Sequence, residues 1–145
     1  MNNQIDESIV RFIKKQRNAS ICCVDESGSP YCFSCYYAFD NEKGLLYFKS
    51  QSHTHHIKLI KTKNAIAGTI LPDQVSLTKT KGIQFRGTVL DEQNLRDAHS
   101  FYHKRFPFAF SIPGEVWTIE LSAIKMIDTF VKFGKKLFWE RIHAL

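Results

Sequence analysis

No run of the 145-residue chain approaches the roughly 18 consecutive apolar residues that a membrane-crossing helix needs. The first residues, Met1-Asn2-Asn3-Gln4-Ile5-Asp6-Glu7, are polar and acidic where a secretory signal is basic and then apolar. A cytoplasmic protein without membrane attachment is expected. No Gly-x-Ser-x-Gly elbow, Walker loop or Gly-x-Gly-x-x-Gly turn follows any strand-like run, so covalent acyl transfer and nucleoside triphosphate chemistry lack support. Blocks of like charge are missing too: the 20 Lys and Arg residues behind the net charge of +6 are scattered. Their summed field attracts phosphorylated small molecules, anionic surfaces or nucleic acid without choosing among them. Cysteine is sparse, with four residues, and in a chain without an export signal these are expected to be reduced thiols.

What is present is apolar and aromatic: 43% of the residues are hydrophobic, and 12 Phe, 5 Tyr and 2 Trp favour strands and fill a single core. Ile5, Ile9, Phe12 and Ile13 share one helix face, which predicts an amphipathic helix over 3–16. Strands follow over 19–25 and 30–39, joined at Asp25-Glu26-Ser27-Gly28-Ser29-Pro30, with Tyr31, Phe33, Cys35, Tyr37 and Phe39 on one face of the second. Leu45 to Lys49 reads as a third strand, and Ile57 and Ile60 mark a short helix ending near Lys63-Asn64, with Ser52 or Thr54 as its cap. Ala65 to Leu71 is apolar almost throughout, the pattern of a strand buried on both sides. Ile83, Phe85, Gly87 and Val89 alternate along a further strand. Asp91 is placed to cap a helix over 92–105 carrying Leu95, Ala98 and Tyr102, and Pro107 closes it. Val116 to Asp128 is one long strand or a bent pair, and the segment from Phe133 to Trp139 is aromatic and basic. Six or seven strands with about three helices, lacking strand-helix alternation, define a mainly β (α+β) fold: a mostly antiparallel barrel, one domain over residues 1–145.

The richest stretch for chemistry is Tyr47-Phe48-Lys49-Ser50-Gln51-Ser52-His53-Thr54-His55-His56, which runs from a strand into a helix start. Unpaired N–H groups and the positive dipole end there suit a phosphate, and the hydroxyls of Ser50, Ser52 and Thr54 and the imidazoles of His53, His55 and His56 add donors. The plainer alternative is that the hydroxyls cap the helix and the histidines are solvated. A metal is not expected, because His55 and His56 diverge on a helix and no Asp, Glu or Cys stands three or four residues on. Cys32 and Cys35 match C-x-x-C, but residues three apart on a strand face opposite ways, as do the neighbours Cys22 and Cys23; buried inert thiols are expected for most of the four.

The pieces Ala67-Gly68-Thr69, Gly82-Ile83-Gln84-Phe85-Arg86-Gly87, Arg105-Phe106-Pro107, Val116-Trp117, Ile124-Lys125 and Phe133-Gly134-Lys135-Lys136 resemble a small bacterial branch of the pyridoxamine 5′-phosphate oxidase-like FMN-binding split-barrel superfamily. The resemblance covers nearly the whole chain. It implies a six- to seven-stranded antiparallel split β-barrel and FMN as cofactor. It also implies a homodimer with each flavin at the subunit interface, and a flavin-dependent oxidoreductase acting on an unknown small molecule. By the same resemblance the cofactor-binding residues are Lys49 and Ser50 at the strand end, Thr54, His55 and His56 at the helix start, and Gln84 near the flavin ring. The oxidases proper carry an Arg and a Lys on the second strand, absent from Cys32 to Tyr37, and His55 and His56 stand where an Arg-Lys pair is usual. Pyridoxamine phosphate oxidation is therefore not expected. Some split-barrel relatives handle haem through histidines, so haem binding is the alternative, and a nucleic-acid-binding barrel is a weaker third reading.

Overall fold

The computed structural model describes residues 3–91, 96–129 and 135–143. Among these, seven strands form one antiparallel sheet: β1 Asn18–Val24, β2 Pro30–Asp40, β3 Leu45–Ser50, β4 Ala65–Ile70, β5 Lys81–Val89, β6 Glu115–Asp128 and β7 Lys135–Glu140. Their order is β3-β2-β1-β4-β5-β6-β7, and β3 also pairs with β6, so the first six close into a barrel. Closure depends on the length of β6. Its residues Glu115 to Glu120 take β3 and Ala123 to Asp128 take β7, while Ile119 to Asp128 pair with β5. β6 is thus one strand with a register shift opposite Arg86/Gly87. The seventh strand is the aromatic, basic carboxy-terminal segment, not a second half of β6. Phe133 and Gly134 of that segment lie outside the described residues.

The first helix, α1 (Glu7–Lys15), starts later than the sequence predicts because Asp6 takes the N-cap, its Oδ1 accepting from Ser8 N at 2.8 Å. The residues before it run to β7 instead: Trp139 Nε1 donates to the Asn3 carbonyl at 3.0 Å and Asn3 Nδ2 to the Glu140 carbonyl at 2.9 Å. Ile9, Phe12 and Ile13 still face inward, and the Tyr37 hydroxyl donates to the Ile13 carbonyl at 2.5 Å, tying the helix end to β2. Burying each such apolar side chain contributes roughly 1.5–3 kcal/mol. Inside the barrel Ile21, Leu46, Phe48, Ile70, Ile83 and Ile119 are fully buried.

β4 departs from expectation. Ile66 and Ile70 point inward, but Ala65, Ala67 and Thr69 are exposed, so the strand is buried on one side. A barrel strand has one inner face, and small apolar residues on the outer face imitate double burial in the sequence. The reverse happens on β6, where Val116 to Ile119 are all buried. There the outer wall is covered by α3 (Arg96–Arg105), whose Ala98 and Tyr102 join Phe106 and Ala109 against Ala38, Tyr47 and Val116. Leu95 and the start of this helix lie outside the described residues, so a capping role for Asp91 does too. Phe106-Pro107 ends α3 as predicted, and a single 3₁₀ turn, Pro107–Ser111, follows.

Candidate functional site

Alternation along β3 sends Phe48 and Ser50 to one side and Lys49 to the other. Beyond Ser50 the chain turns through Gln51, with Thr54 N donating to the Gln51 carbonyl at 3.2 Å, and enters α2 (His55–Thr62). Ile57 and Ile60 seat this helix in the core. Thr54 holds the N-cap position, yet its hydroxyl makes no cap bond; it donates to the Gln51 carbonyl at 2.9 Å and faces Ser50 Oγ at 3.4 Å and His56 Nε2 at 3.3 Å. The first-turn N–H groups of α2 are therefore left without a side-chain acceptor. His56 Nε2 lies 2.6 Å from Ser50 Oγ, and its ring stacks on Phe33 with centroids 3.9 Å apart. Burial, and then the charge of neighbouring His55, hold the pKa of His56 below its ordinary 6.5. Ser50, Thr54 and His56 thus form one preorganised cluster. His55 sits beside it, exposed, 4.8 Å from the Tyr31 ring, and His53 is exposed.

Lys49 and Gln84 are not brought to this cluster. Lys49 Nζ donates to His103 Nε2 at 3.0 Å and to the Ala109 carbonyl at 2.7 Å, and burial lowers its pKa. The Nδ1 of His103 bonds the His99 carbonyl at 2.8 Å, which makes it the donor nitrogen and leaves Nε2 to accept from Lys49. Lys49 therefore fastens β3 to α3 and the 3₁₀ turn. Gln84 is exposed on the outer face of β5, in a cross-strand row with Thr69, Ser20 and Ser34. Gln84 is on β5 and Ser50 on β3, strands that both pair with β6 but not with each other, so Gln84 is no part of the cluster. It borders a cleft of about 410 Å³ that also involves Ala67, Arg86, Lys125 and Phe138.

Several features escape sequence reasoning. The outer wall across β2, β1 and β4 is paved with small side chains, Ser34, Cys32, Ser20, Cys22, Ala67 and Thr69, a smooth floor on which a flat ring can lie. Glu115 stands opposite Ser50 in the β3–β6 ladder, and its Oε2 is buried without a hydrogen-bond partner. Only register knowledge reveals either. A larger cleft of about 890 Å³ between α1, β5 and β6 holds none of the expected cofactor-binding residues; within it Arg17 is bridged to Asp73 and Lys81 to Asp128. Among the described residues no three His, Cys, Asp or Glu side chains are grouped to hold a metal ion, and no helix is long and apolar enough to cross a membrane.

A six-stranded closed barrel with an extra strand on β6, and a polar cluster at the strand-to-helix turn, defines a split-barrel protein. Solved structures of that fold superpose on most of the chain. A protein related to general stress protein 26, of the pyridoxinephosphate oxidase family, from Clostridium acetobutylicum matches with TM-score 0.67 and 12% identity over 94% of this chain and 96% of its own. An FAD-binding protein from Mesorhizobium loti matches with TM-score 0.68 and 12% identity, covering 86% and 96%. A heme binding protein from Mycobacterium smegmatis gives TM-score 0.73 and 10% identity over 89% of this chain and 55% of its own. No family model matches the sequence. The chain belongs to the UPF0306 family: it is 31% identical over 146 residues to the UPF0306 protein of Yersinia enterocolitica, covering 99% of both chains, and 32% identical over 147 residues to that of Yersinia pseudotuberculosis, covering all of both.

Proposed function

We propose that the protein binds FMN as a homodimer with each flavin at the subunit interface, and serves as a flavin-dependent oxidoreductase for a small molecule. The observation that carries this reading is the Ser50–Thr54–His56 cluster beneath the uncapped start of α2. Two hydroxyls, an imidazole and free backbone N–H groups converge there, as a terminal phosphate requires. The small-residue floor supports it, offering the isoalloxazine ring a seat between this cluster and Gln84. The exposed face of β4 supports a second copy of the chain as the other wall. When bound, the flavin supplies hydride-transfer chemistry; the protein's residues anchor its phosphate, orient its ring and exclude water. His55 stands near the phosphate, and Lys49 acts indirectly by fixing β3.

Purified protein supplied with FMN is expected to show flavin absorbance and a dissociation constant below roughly 100 μM. Each hydrogen bond to a charged group is worth roughly 1.5–3 kcal/mol, so Thr54→Ala together with His56→Ala should weaken FMN binding about tenfold or more. Riboflavin, which lacks the phosphate, should bind both proteins nearly alike. An FMN affinity unchanged to within about twofold places the phosphate elsewhere. The exposed imidazoles of His53 and His55 favour haem as the second reading, since an axial ligand must be accessible. A Soret band on adding haemin, lost when His53, His55 and His56 are changed together, would establish that reading instead.

A further inference from the structure

Buried thiols were expected for most of the four cysteines, but only Cys23 is fully buried: Cys32 is exposed, and it stands directly opposite half-buried Cys22 in the β1–β2 ladder, a pairing across strands that sequence spacing does not show. The backbone bonds say which kind of pair this is. Tyr37 N donates to the Arg17 carbonyl at 3.1 Å and Asp25 N to the Ser29 carbonyl at 3.0 Å, so the bonded pairs of this ladder carry odd numbers. Bonded and non-bonded pairs alternate in an antiparallel ladder, which makes Cys22/Cys32 a non-bonded pair, with Cα atoms about 4.5 Å apart and side chains close. That separation is at the short end of the roughly 4.4–6.8 Å that disulfides span. The Cys22 thiol itself donates to the Cys23 carbonyl at 3.7 Å.

We propose that Cys22 and Cys32 form a reversible dithiol–disulfide pair on the outer wall of the barrel, exchanging with low-molecular-weight disulfides of the glutathione type. Cys32 is exposed and meets the incoming disulfide, while half-buried Cys22 resolves the adduct. Burial and the neighbouring Cys32 hold the Cys22 thiol up, in keeping with that second role. In the first step the Cys32 thiolate attacks one sulfur; a mixed disulfide forms, the original S–S bond breaks, and the departing thiolate takes a proton. In the second, Cys22 loses its proton and attacks the Cys32 sulfur, releasing the second small thiol. The pair is oxidised by two electrons, the small disulfide is reduced by two, and two protons pass to the leaving thiols.

The surroundings suit exchange rather than stapling. The flanking outer positions Ser20, Ser34 and Ala67 are small and leave the sulfurs approachable. The loop to be closed is a short hairpin whose register seven residue pairs already fix, so a bridge there gains little folding stability. Exposed or strained disulfides are the labile ones. The other two cysteines take no part: Cys23 is buried and hydrogen-bonds the Tyr31 carbonyl, and Cys35 lies against the core, where burial pushes its thiol up to about 12. The sulfurs lie on the floor that the reading above gives to the flavin ring, so the exchange belongs to the flavin-free protein and is tested on protein stripped of flavin.

The test treats folded, reduced protein with oxidised glutathione, quenches by alkylation and maps the thiols by peptide mass spectrometry. Wild type should lose two of its four thiols, retain no glutathione, and yield a β1 peptide bridged to a β2 peptide within one chain. Cys22→Ser should trap glutathione stably on Cys32, and Cys23→Ser and Cys35→Ser should behave as wild type. Serine at Cys22 sits on the outer wall and keeps the fold; Cys23 and Cys35 face the core, so circular dichroism verifies the fold of all three variants before exchange. Stable glutathione on the wild-type protein, a bridge between two chains, or a bridge involving Cys23 or Cys35 would overturn the proposal.

Discussion

His56 is held by two contacts of different character, the Phe33 ring on its face and the Ser50 hydroxyl at its edge, and both are satisfied by a neutral imidazole. Its pKa is lowered in the folded protein from the ordinary 6.5, so between 6.5 and the folded value the unfolded chain binds more protons. Stability is therefore expected to hold above pH 6.5, fall as pH drops below it, and level off once the folded imidazole protonates. Urea unfolding across this window should show the slope, and His56→Gln should flatten it; His103, lowered chiefly by burial, supplies what slope remains. Glu115 presents the opposite problem, a carboxylate facing Ser50 with one oxygen unpartnered. A negative charge so near an anion's seat opposes binding. Glu115→Gln should accordingly tighten FMN binding while leaving riboflavin affinity unchanged, and flavin fluorescence titration measures both. The histidines and hydroxyls of this site were legible from their position before a helix. Glu115 was not, because its neighbour lies across a ladder.

At the scale of elements, the β1–β4–β5 wall depends on one close approach. A Cβ on Gly68 would meet the Ser20 carbonyl at 2.6 Å and the Phe85 ring closer still, and a paired backbone cannot yield. Gly68→Ala should cost about 1–3 kcal/mol of stability, read as a lower urea midpoint with unchanged slope. Gly82→Ala on the same sheet should be tolerated, since its Cβ would meet chiefly Leu71 Cδ2 at 3.3 Å. Helix α1 was legible because its apolar face repeats at helical spacing, and its start was misread because Asp6 competes for the cap. β4 was misread because outward Ala and inward Ile look alike to a hydrophobicity pattern. Ser52 or Thr54 was expected to cap α2; Thr54 takes the N-cap position, but its hydroxyl turns toward Ser50 and His56, a choice set by the side chains around it.

In the whole molecule, Arg141 fills the seam where β6 passes from β3 to β7. Its Nε donates to the Leu121 carbonyl at 2.7 Å, and its Nη2 to the Lys43 and Gly44 carbonyls at 2.9 and 2.8 Å. The side chain thereby joins the β2–β3 turn to β6 across the opening of the barrel. Arg141→Ala should lower stability by about 1.5–3 kcal/mol, and Arg141→Lys should not restore it, because an ammonium cannot reproduce the fork of the guanidinium. Calorimetric or urea unfolding of the three proteins decides this.

Local patterning determined the first six strands, the three helices and the polar strand-to-helix turn, because alternation, helical spacing and proline act within a few residues of the chain. Tertiary structure decided everything that depends on which strand lies beside which. Closure of the barrel through β3 and β6 and the capture of the carboxy-terminal segment as β7 are outcomes of strand pairing. So are the diversion of Lys49 to His103, the placing of Glu115 against Ser50 and the meeting of Cys22 with Cys32. Register is a contest among long-range pairings, and a shift of one residue would send every one of these side chains to the opposite face.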